Sequence, residues 1–259
     1  MGRHGASIGL PAGCFTAMKK TLLFSMAAAL TGAFAAEDVQ VFVRSVPGKP
    51  FVSVNEKWLR NALEVKPDVT VMLFGTNDAC NSKVLSSQEA FLKTLDLAVK
   101  EIQGAQSRLI LVTIPPCSEA CLFRRHGKEV FGEKLPNERI LNFNAILKQT
   151  ADSKKLPLAD LHAVVMKRGC EGKRSLLRLP ENSGVADGIH LTEEGYAALA
   201  ECVADTIRQA GYLPKKILCI GDSLTYGVGS RDAGKISGTT YPGQLKKYLT
   251  AANGKDETK

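Results

Sequence analysis

Several features that mark whole classes of protein are missing from this chain. Beyond its first 35 residues no apolar run approaches the roughly 20 residues needed to cross a bilayer, so stable membrane insertion is not expected. No long Lys/Arg tract is interleaved with aromatics, which argues against a nucleic-acid partner. No cysteine or histidine spacing matches a closed zinc site, and no metal is expected. No internal repeat and no interdomain linker interrupts the pattern. Histidine is scarce: of four in total, only His126, His162 and His190 lie after residue 35.

The N-terminal part reads as a targeting segment rather than as fold. Lys19-Lys20 precede "TLLFSMAAALTGAFA", which ends in the small-x-small triplet Ala33-Phe34-Ala35. That pattern predicts a secretory signal peptide cut near Ala35, with Met18 as the natural start and Met1–Ala17 as upstream residues. Cys14 in "LPAGC" has no apolar stretch before it, and its leucine lies one position too far away for a lipoprotein site. The expected organisation is therefore residues 1–35 as leader and 36–259 as one secreted or periplasmic domain of 259 − 35 = 224 residues. Removing Arg3, Lys19 and Lys20 reduces the formal charge from +8 to +5, a mildly basic surface. Export leaves six cysteines in a disulfide-permissive compartment. Cys80, Cys117, Cys121 and Cys170 fall in predicted loops and are the candidates for bridges. Cys202, in a helix, and Cys219, in an apolar strand, are expected as buried thiols.

Strand and helix patterns alternate along the rest. Strands are expected over Val39–Val46, Val69–Gly75, Arg108–Ile114, "LPLADL" and Lys215–Gly221. Helices are expected over "VNEKWLRNALEV", "SQEAFLKTLDLAVKEIQG", "NERILNFNAILKQTAD", "TEEGYAALAECVADTIRQAG" and "YPGQLKKYLTAA". In the second of these, Phe91, Leu92, Leu95, Leu97, Val99 and Ile102 roughly follow helical periodicity. In the fourth, Thr192 is the expected N-cap and Gly211 the stop. Continuous apolar strands separated by helices imply an α/β protein, a three-layer α/β/α sandwich around a parallel sheet.

In such sheets sites form at the carboxyl ends of strands. Four short blocks there carry chemistry: "RSVPGKP" with Gly48, "GTND" with Asn77, "DGIHL" with Asp187 and His190, and "GDSL" with Ser223. Each alone is compatible with an ordinary turn or helix entry. Together, at these positions, the chain resembles the SGNH, or GDSL, hydrolase family over essentially its whole mature length. The resemblance implies Ser223 as nucleophile, His190 as general base and Asp187 as its orienting acid. It implies an oxyanion hole from the N–H groups of Ser223 and Gly48 and the amide of Asn77. No cofactor is implied. Asp222 and Asp78 are expected to shape their own turns. His162 is expected to be structural and His126 to sit in a basic surface loop.

The order of the blocks departs from the family, in which the serine block comes first. Joining "GQLKKYLTAANGKDETK" to "AEDVQVFVRSVPGKP" restores the family order, so the chain resembles a circularly permuted member. A flavodoxin-like sheet would then place Ile217–Ile220 centrally, between the first strand and Val69–Phe74. The expected activity is a secreted serine esterase removing short acyl groups, O-acetyl in the first place, from carbohydrate. A lysophospholipase or thioesterase is the enzymatic alternative, and a catalytically silent glycan-binding module the non-enzymatic one. The segments "CSEACLFRRHGKEVFGEKLP" and "MKRGCEGKRSLLRLP", expected to crown the strand ends, lack the apolar stretch of a lipid lid. Their basic residues suit an acidic or sulfated glycan, although loop charge is more often simply solvated. "GDSLTYGVGS" lacks Gly-x-Gly-x-x-Gly spacing and a following Gly-Lys-Ser/Thr, which argues against nucleotide binding.

Overall fold

A computed structural model of the chain describes residues 39–253. The expected signal peptide, Cys14 and the cleavage position near Ala35 lie outside the described residues. Five strands form one parallel sheet: β1 (Gln40–Ser45), β2 (Val69–Leu73), β3 (Arg108–Val112), β4 (Leu158–Ala159) and β5 (Lys216–Gly221). Their spatial order is β1-β5-β2-β3-β4. Counted from β5 as the first strand, this is the flavodoxin-like 2-1-3-4-5 order.

Ten helices accompany the sheet among the described residues. They are α1 (Glu56–Leu63), α2 (Thr76–Cys80), α3 (Gln88–Gly104), α4 (Glu119–Leu122), α5 (Pro136–Lys154), α6 (Leu161–Arg168), α7 (Pro180–Ser183), α8 (Glu193–Gln209), α9 (Ser223–Tyr226) and α10 (Tyr241–Asn253). The period-2 alternation of the strands divides the core into two layers. Val69, Val71, Ile110, Val112, Ile217 and Cys219 pack towards α6, α8 and α10. Met72, Leu109, Leu111, Leu218 and Ile220 pack towards α1, α3 and α5. Both faces are covered, which is why these strands read as continuous apolar runs rather than as alternating ones.

Caps fix several helix starts. Thr192 accepts from the Gly195 N–H, as expected, and Ser87 and Asn55 do the same for α3 and α1. The buried stripe of α3 differs from the expected one. Phe91, Thr94, Leu95, Ala98, Val99 and Ile102 are buried, whereas Leu92 is 42% exposed and Leu97 is half-buried. A 3.6-residue period puts positions 91, 94/95, 98/99 and 102 on one face and rotates 92 away from it.

Some segments expected as loops are short helices. Cys80 closes α2 and Cys121 lies in α4, although both were expected in loops. All six described cysteines are free thiols, including Cys202 and Cys219. His162 lies in the first turn of α6. Its Nδ1 lies 3.1 Å from the Ile114 carbonyl, consistent with a structural role.

β5 is an interior strand, paired on both sides. It pairs with β1 from Gln40↔Lys216 to Ser45↔Gly221, and with β2 from Val69↔Ile217 to Leu73↔Gly221. The Asp68 carboxylate grips its start by accepting from the Lys215 and Lys216 N–H groups at 2.8 and 2.7 Å. Gly221 ends the strand so tightly packed that a Cβ there would run into the Leu73 carbonyl and Thr225. Ile217, Leu218 and Ile220 are essentially inaccessible. At about 1.5–3 kcal/mol each, their burial contributes roughly 5–9 kcal/mol, comparable with the whole net stability of an ordinary domain, about 5–15 kcal/mol. A chain ending at Pro214 is therefore expected not to fold. Circular dichroism melts of that truncation should show no cooperative transition, and a cooperative melt would contradict the assignment of β5 as an obligatory central strand.

Candidate active site

Ser223 leaves the sheet between two loops because its strand lies between two strands. β1 runs into Pro47-Gly48 and β2 into Gly75-Thr76-Asn77, and neighbouring strands lie about 4.8 Å apart. Asp222 caps α9 by accepting from the Leu224 N–H at 3.0 Å, which makes Ser223 its first helical residue. The first amides of a helix have no intrahelical acceptor, so the Ser223 N–H is available to a ligand.

His190 and Asp187 arrive from the loop before α8. An antiparallel bridge between Leu177 and Leu191 anchors this loop. The Gly188 N–H donates to the Arg178 carbonyl at 2.9 Å, and the Arg178 N–H donates to the His190 carbonyl at 2.8 Å. Gly188 has φ +75°, and a Cβ there would approach the Ser118 carbonyl at 2.8 Å. Only glycine meets both demands.

A proton relay follows from this geometry. Ser223 Oγ lies 3.0 Å from His190 Nε2. His190 Nδ1 lies 2.8 Å from Asp187 Oδ2 and 3.1 Å from Oδ1. Asp187 Oδ1 also accepts from the Ile189 and His190 N–H groups at 3.0 and 2.9 Å. Burial alone would raise the Asp187 pKa. The hydrogen bond and charge of His190, helped by these two amides, outweigh it and hold the carboxyl far below the usual carboxylate range. Asp187 therefore stays ionised. It fixes the Nδ1–H tautomer, leaving Nε2 free to accept the serine proton.

Asn77 supplies a third kind of group. Its Oδ1 is 3.3 Å from Asn81 Nδ2, while its own Nδ2 is buried without a partner among the described residues. Asn77, Gly48, His190 and Ser223 line one cavity of about 370 Å³. A buried amide N–H₂ that meets no protein acceptor but borders the cavity beside the serine is suited to an oxyanion. Gly48, at φ +75°, has open space above it.

The other two acids of these motifs shape turns, as expected. Asp78 accepts from the Phe51 N–H at 2.6 Å and from Ser86 Oγ at 2.7 Å, tying α2 to the segment after β1. Asp222 is fully buried, and burial raises its carboxyl to about 6 despite the Leu224 N–H. Sequence reasoning put a basic segment over the strand ends without singling out the residues that reach the cavity. Arg125 and His126 were expected in a surface loop, yet both line the cavity with Leu122 and Ile189. The segment containing "FRRHGK" is expected to crown the strand ends, but no local pattern shows which of its basic residues turn into the cavity.

Comparison with known proteins supplies the family context. The sequence model of the GDSL-like Lipase/Acylhydrolase family matches residues 16–198. That span contains Gly48, Asn77, Asp187 and His190 and ends before Ser223. A protein from Ruminococcus flavefaciens described as a multidomain esterase is 27% identical over 150 residues, 57% of this chain. The chain spans only 16% of that relative's length. A solved structure from Bacteroides fragilis, described as a candidate acylhydrolase, matches with a TM-score of 0.50 and 18% identity, covering 68% of this chain and 89% of that one. A GDSL-like lipase from Bacteroides thetaiotaomicron gives a TM-score of 0.49 at 18% identity over 67% and 89% of the two chains. The Bacteroides fragilis likeness supports the α/β fold with its parallel sheet.

Two expectations follow from the geometry. Asn77→Ala should retain its melting behaviour and lose roughly 10²–10³ in kcat, read with a chromogenic acetyl ester. Asp222 has a folded pKa of about 6, above its ordinary 3.8, so ionising it costs the folded state. That stability is fully present below the unfolded value and is lost as pH rises through about 6, a loss of about 3 kcal/mol. The melting temperature of Asp222→Asn relative to the parent should therefore rise between pH 4.5 and pH 7.5. A difference that shrinks over that interval would contradict the assignment.

Proposed function

The chain belongs to the GDSL-like lipase/acylhydrolase family, and from that premise we propose that it is a serine carboxylic-ester hydrolase acting on short acyl groups, O-acetyl on carbohydrate in particular. The observation that carries this reading is the unbroken hydrogen-bonded series Asp187–His190–Ser223 at 2.8 and 3.0 Å, bordered by the unpartnered Asn77 amide.

In the proposed reaction His190 Nε2 takes the Ser223 proton as Oγ attacks the ester carbonyl. The carbonyl electrons move onto oxygen, which is met by the N–H groups of Ser223 and Gly48 and by Asn77 Nδ2. Collapse of this intermediate breaks the bond to the alcohol oxygen, and that oxygen leaves with the proton held by His190. A water molecule then gives its proton to His190 and attacks the acyl-serine, releasing the acid and restoring Ser223. Asp187 remains ionised throughout and stabilises the imidazolium.

Cavity size favours a small acyl group. About 370 Å³ lies at the low end of the roughly 300–1,000 Å³ range of small-molecule sites. Leu122, Ile189 and Val228 are the main apolar side chains on its wall, too few to sheathe a long chain.

Two further elements of the reading are proposals in the same sense. Circular permutation is supported by the family match ending before the serine block, while that block occupies the central strand beside β1 and β2. Export is supported by the signal-like segment ending at Ala35.

The test is a panel of p-nitrophenyl esters from acetyl to dodecanoyl, alongside mono-O-acetylated sugars. Acetyl esters should be hydrolysed best, and Ser223→Ala should lose at least about 10³-fold. Strong preference for long chains would favour a lysophospholipase or thioesterase. Failure of a phosphonate probe to label Ser223 in folded protein would favour a silent glycan-binding module.

A further inference from the structure

One wall of the cavity takes no part in the proton relay. It is formed by Arg125 and His126, which follow α4, together with Asn81 and Leu122. Among the residues lining the cavity, Arg125 alone carries a permanent charge, and none is a carboxylate. The guanidinium is held in place: Nη2 donates to the Asp187 carbonyl at 2.5 Å. Its nearest carboxylate oxygen is Asp187 Oδ1, at 3.8 Å. That oxygen already accepts from Ile189 N–H, His190 N–H and His190 Nδ1. A guanidinium has five N–H donors, and the others on Arg125 make no bond among the described residues.

His126 adds a second polar group to the same cavity. Ser82 Oγ lies 2.6 Å from His126 Nδ1. Burial, and then the charges of Arg125 and Lys83, lower the His126 pKa, so the ring is neutral at neutral pH. In the tautomer whose Nδ1 accepts from the Ser82 hydroxyl the ring proton resides on Nε2, and in the other Nδ1 donates to Ser82 and Nε2 is an acceptor. Arg125 therefore brings hydrogen-bond donors and a positive charge to this wall, and the one carboxylate near it, Asp187 at 3.8 Å, does not line the cavity and is already engaged by His190. An uncharged sugar hydroxyl would use one of the remaining donors, whereas a planar carboxylate matches the guanidinium fork.

We propose that Arg125 and His126 form a subsite for a carboxylate on the alcohol portion of the ester, making an O-acetylated acidic sugar the preferred substrate class. This rests on the esterase reading above. An acetyl group has no place for a charge, so the anion must be carried by the alcohol. A cavity of about 370 Å³ confines it to roughly one sugar ring from the ester bond.

The probes are mono-O-acetyl glucuronic acid, its uncharged methyl ester, and mono-O-acetyl glucose. The parent protein should show a kcat/KM for the acid on the order of 10–100-fold above that for the methyl ester, most of it in KM. Arg125 also supports the Asp187 loop, so Arg125→Gln should lower all rates, and the informative quantity is the acid-to-methyl-ester ratio. That ratio should fall to about one in Arg125→Gln and be partly kept in Arg125→Lys. Equal rates on acid and methyl ester in the parent, or an unchanged ratio in Arg125→Gln, overturn the subsite. Calorimetric binding of the same compounds to Ser223→Ala reads the subsite without turnover. Tighter binding of the acid there, with no hydrolysis by the parent, supports the subsite while removing the esterase reading. Equal binding removes the subsite whatever the activity.

Discussion

Everything at this site depends on β5 lying between β1 and β2. A parallel strand with neighbours on both sides has its register fixed twice, here through Ser45↔Gly221 and Leu73↔Gly221. Fixing Gly221 fixes Ser223 two residues later, and the same two neighbours deliver Gly48 and Asn77 to either side of it. The nucleophile candidate and its proposed oxyanion donors are thus positioned by one set of sheet hydrogen bonds rather than by three independent loops. Sites built on sheet ends in this way are more exact than loops alone would allow. The same arrangement explains why Gly221 tolerates no side chain: the backbone of β2 passes too close to its Cα.

Electrostatics around the relay divides its two aspartates. Asp187 and Asp222 are both buried, yet their carboxyl pKa values move in opposite directions. Burial penalises both charges, and the difference lies in the partners. Asp187 Oδ1 collects two backbone amides, and the carboxylate faces the His190 ring, with Arg125 and Arg178 about 4 Å away. Asp222 has one backbone amide. A group meant to remain charged beside an imidazole needs the first environment. A group whose work is to cap a turn functions in the second, since its Oδ1 accepts from Leu224 in either protonation state. The chemistry of the two positions can therefore be separated without reference to their motifs.

Legibility from the sequence follows the length scale of each signal. β2, β3 and β5 were readable because strands buried on both faces must be apolar throughout, and α3, α5 and α8 because 17 to 19 residues carry several helical periods. α2, α4, α7 and α9 are four or five residues long, shorter than any periodic pattern, and were read as turns or loops. α6 was missed although it has eight residues. It follows a two-residue strand, and its last turn, Lys167-Arg168, merges with the basic stretch beyond. The serine block was readable because its chemistry is compact: four adjacent residues with a strand before them.

The residues that form the far wall of the cavity were hidden for a different reason. Arg125 and His126 acquire a role only through partners distant in sequence, Asp187 at 62 positions and Ser82 at 44. No local pattern encodes such contacts, and the same run of basic residues on a solvated loop would look identical. The parts of the site that handle the proton are written in short motifs because the chemistry demands fixed neighbours. The parts that meet the substrate's periphery face no such demand. They can be assembled from whatever loop reaches the strand ends, although here Arg125 is tied to the relay through the Asp187 carbonyl, so the two parts are not independent.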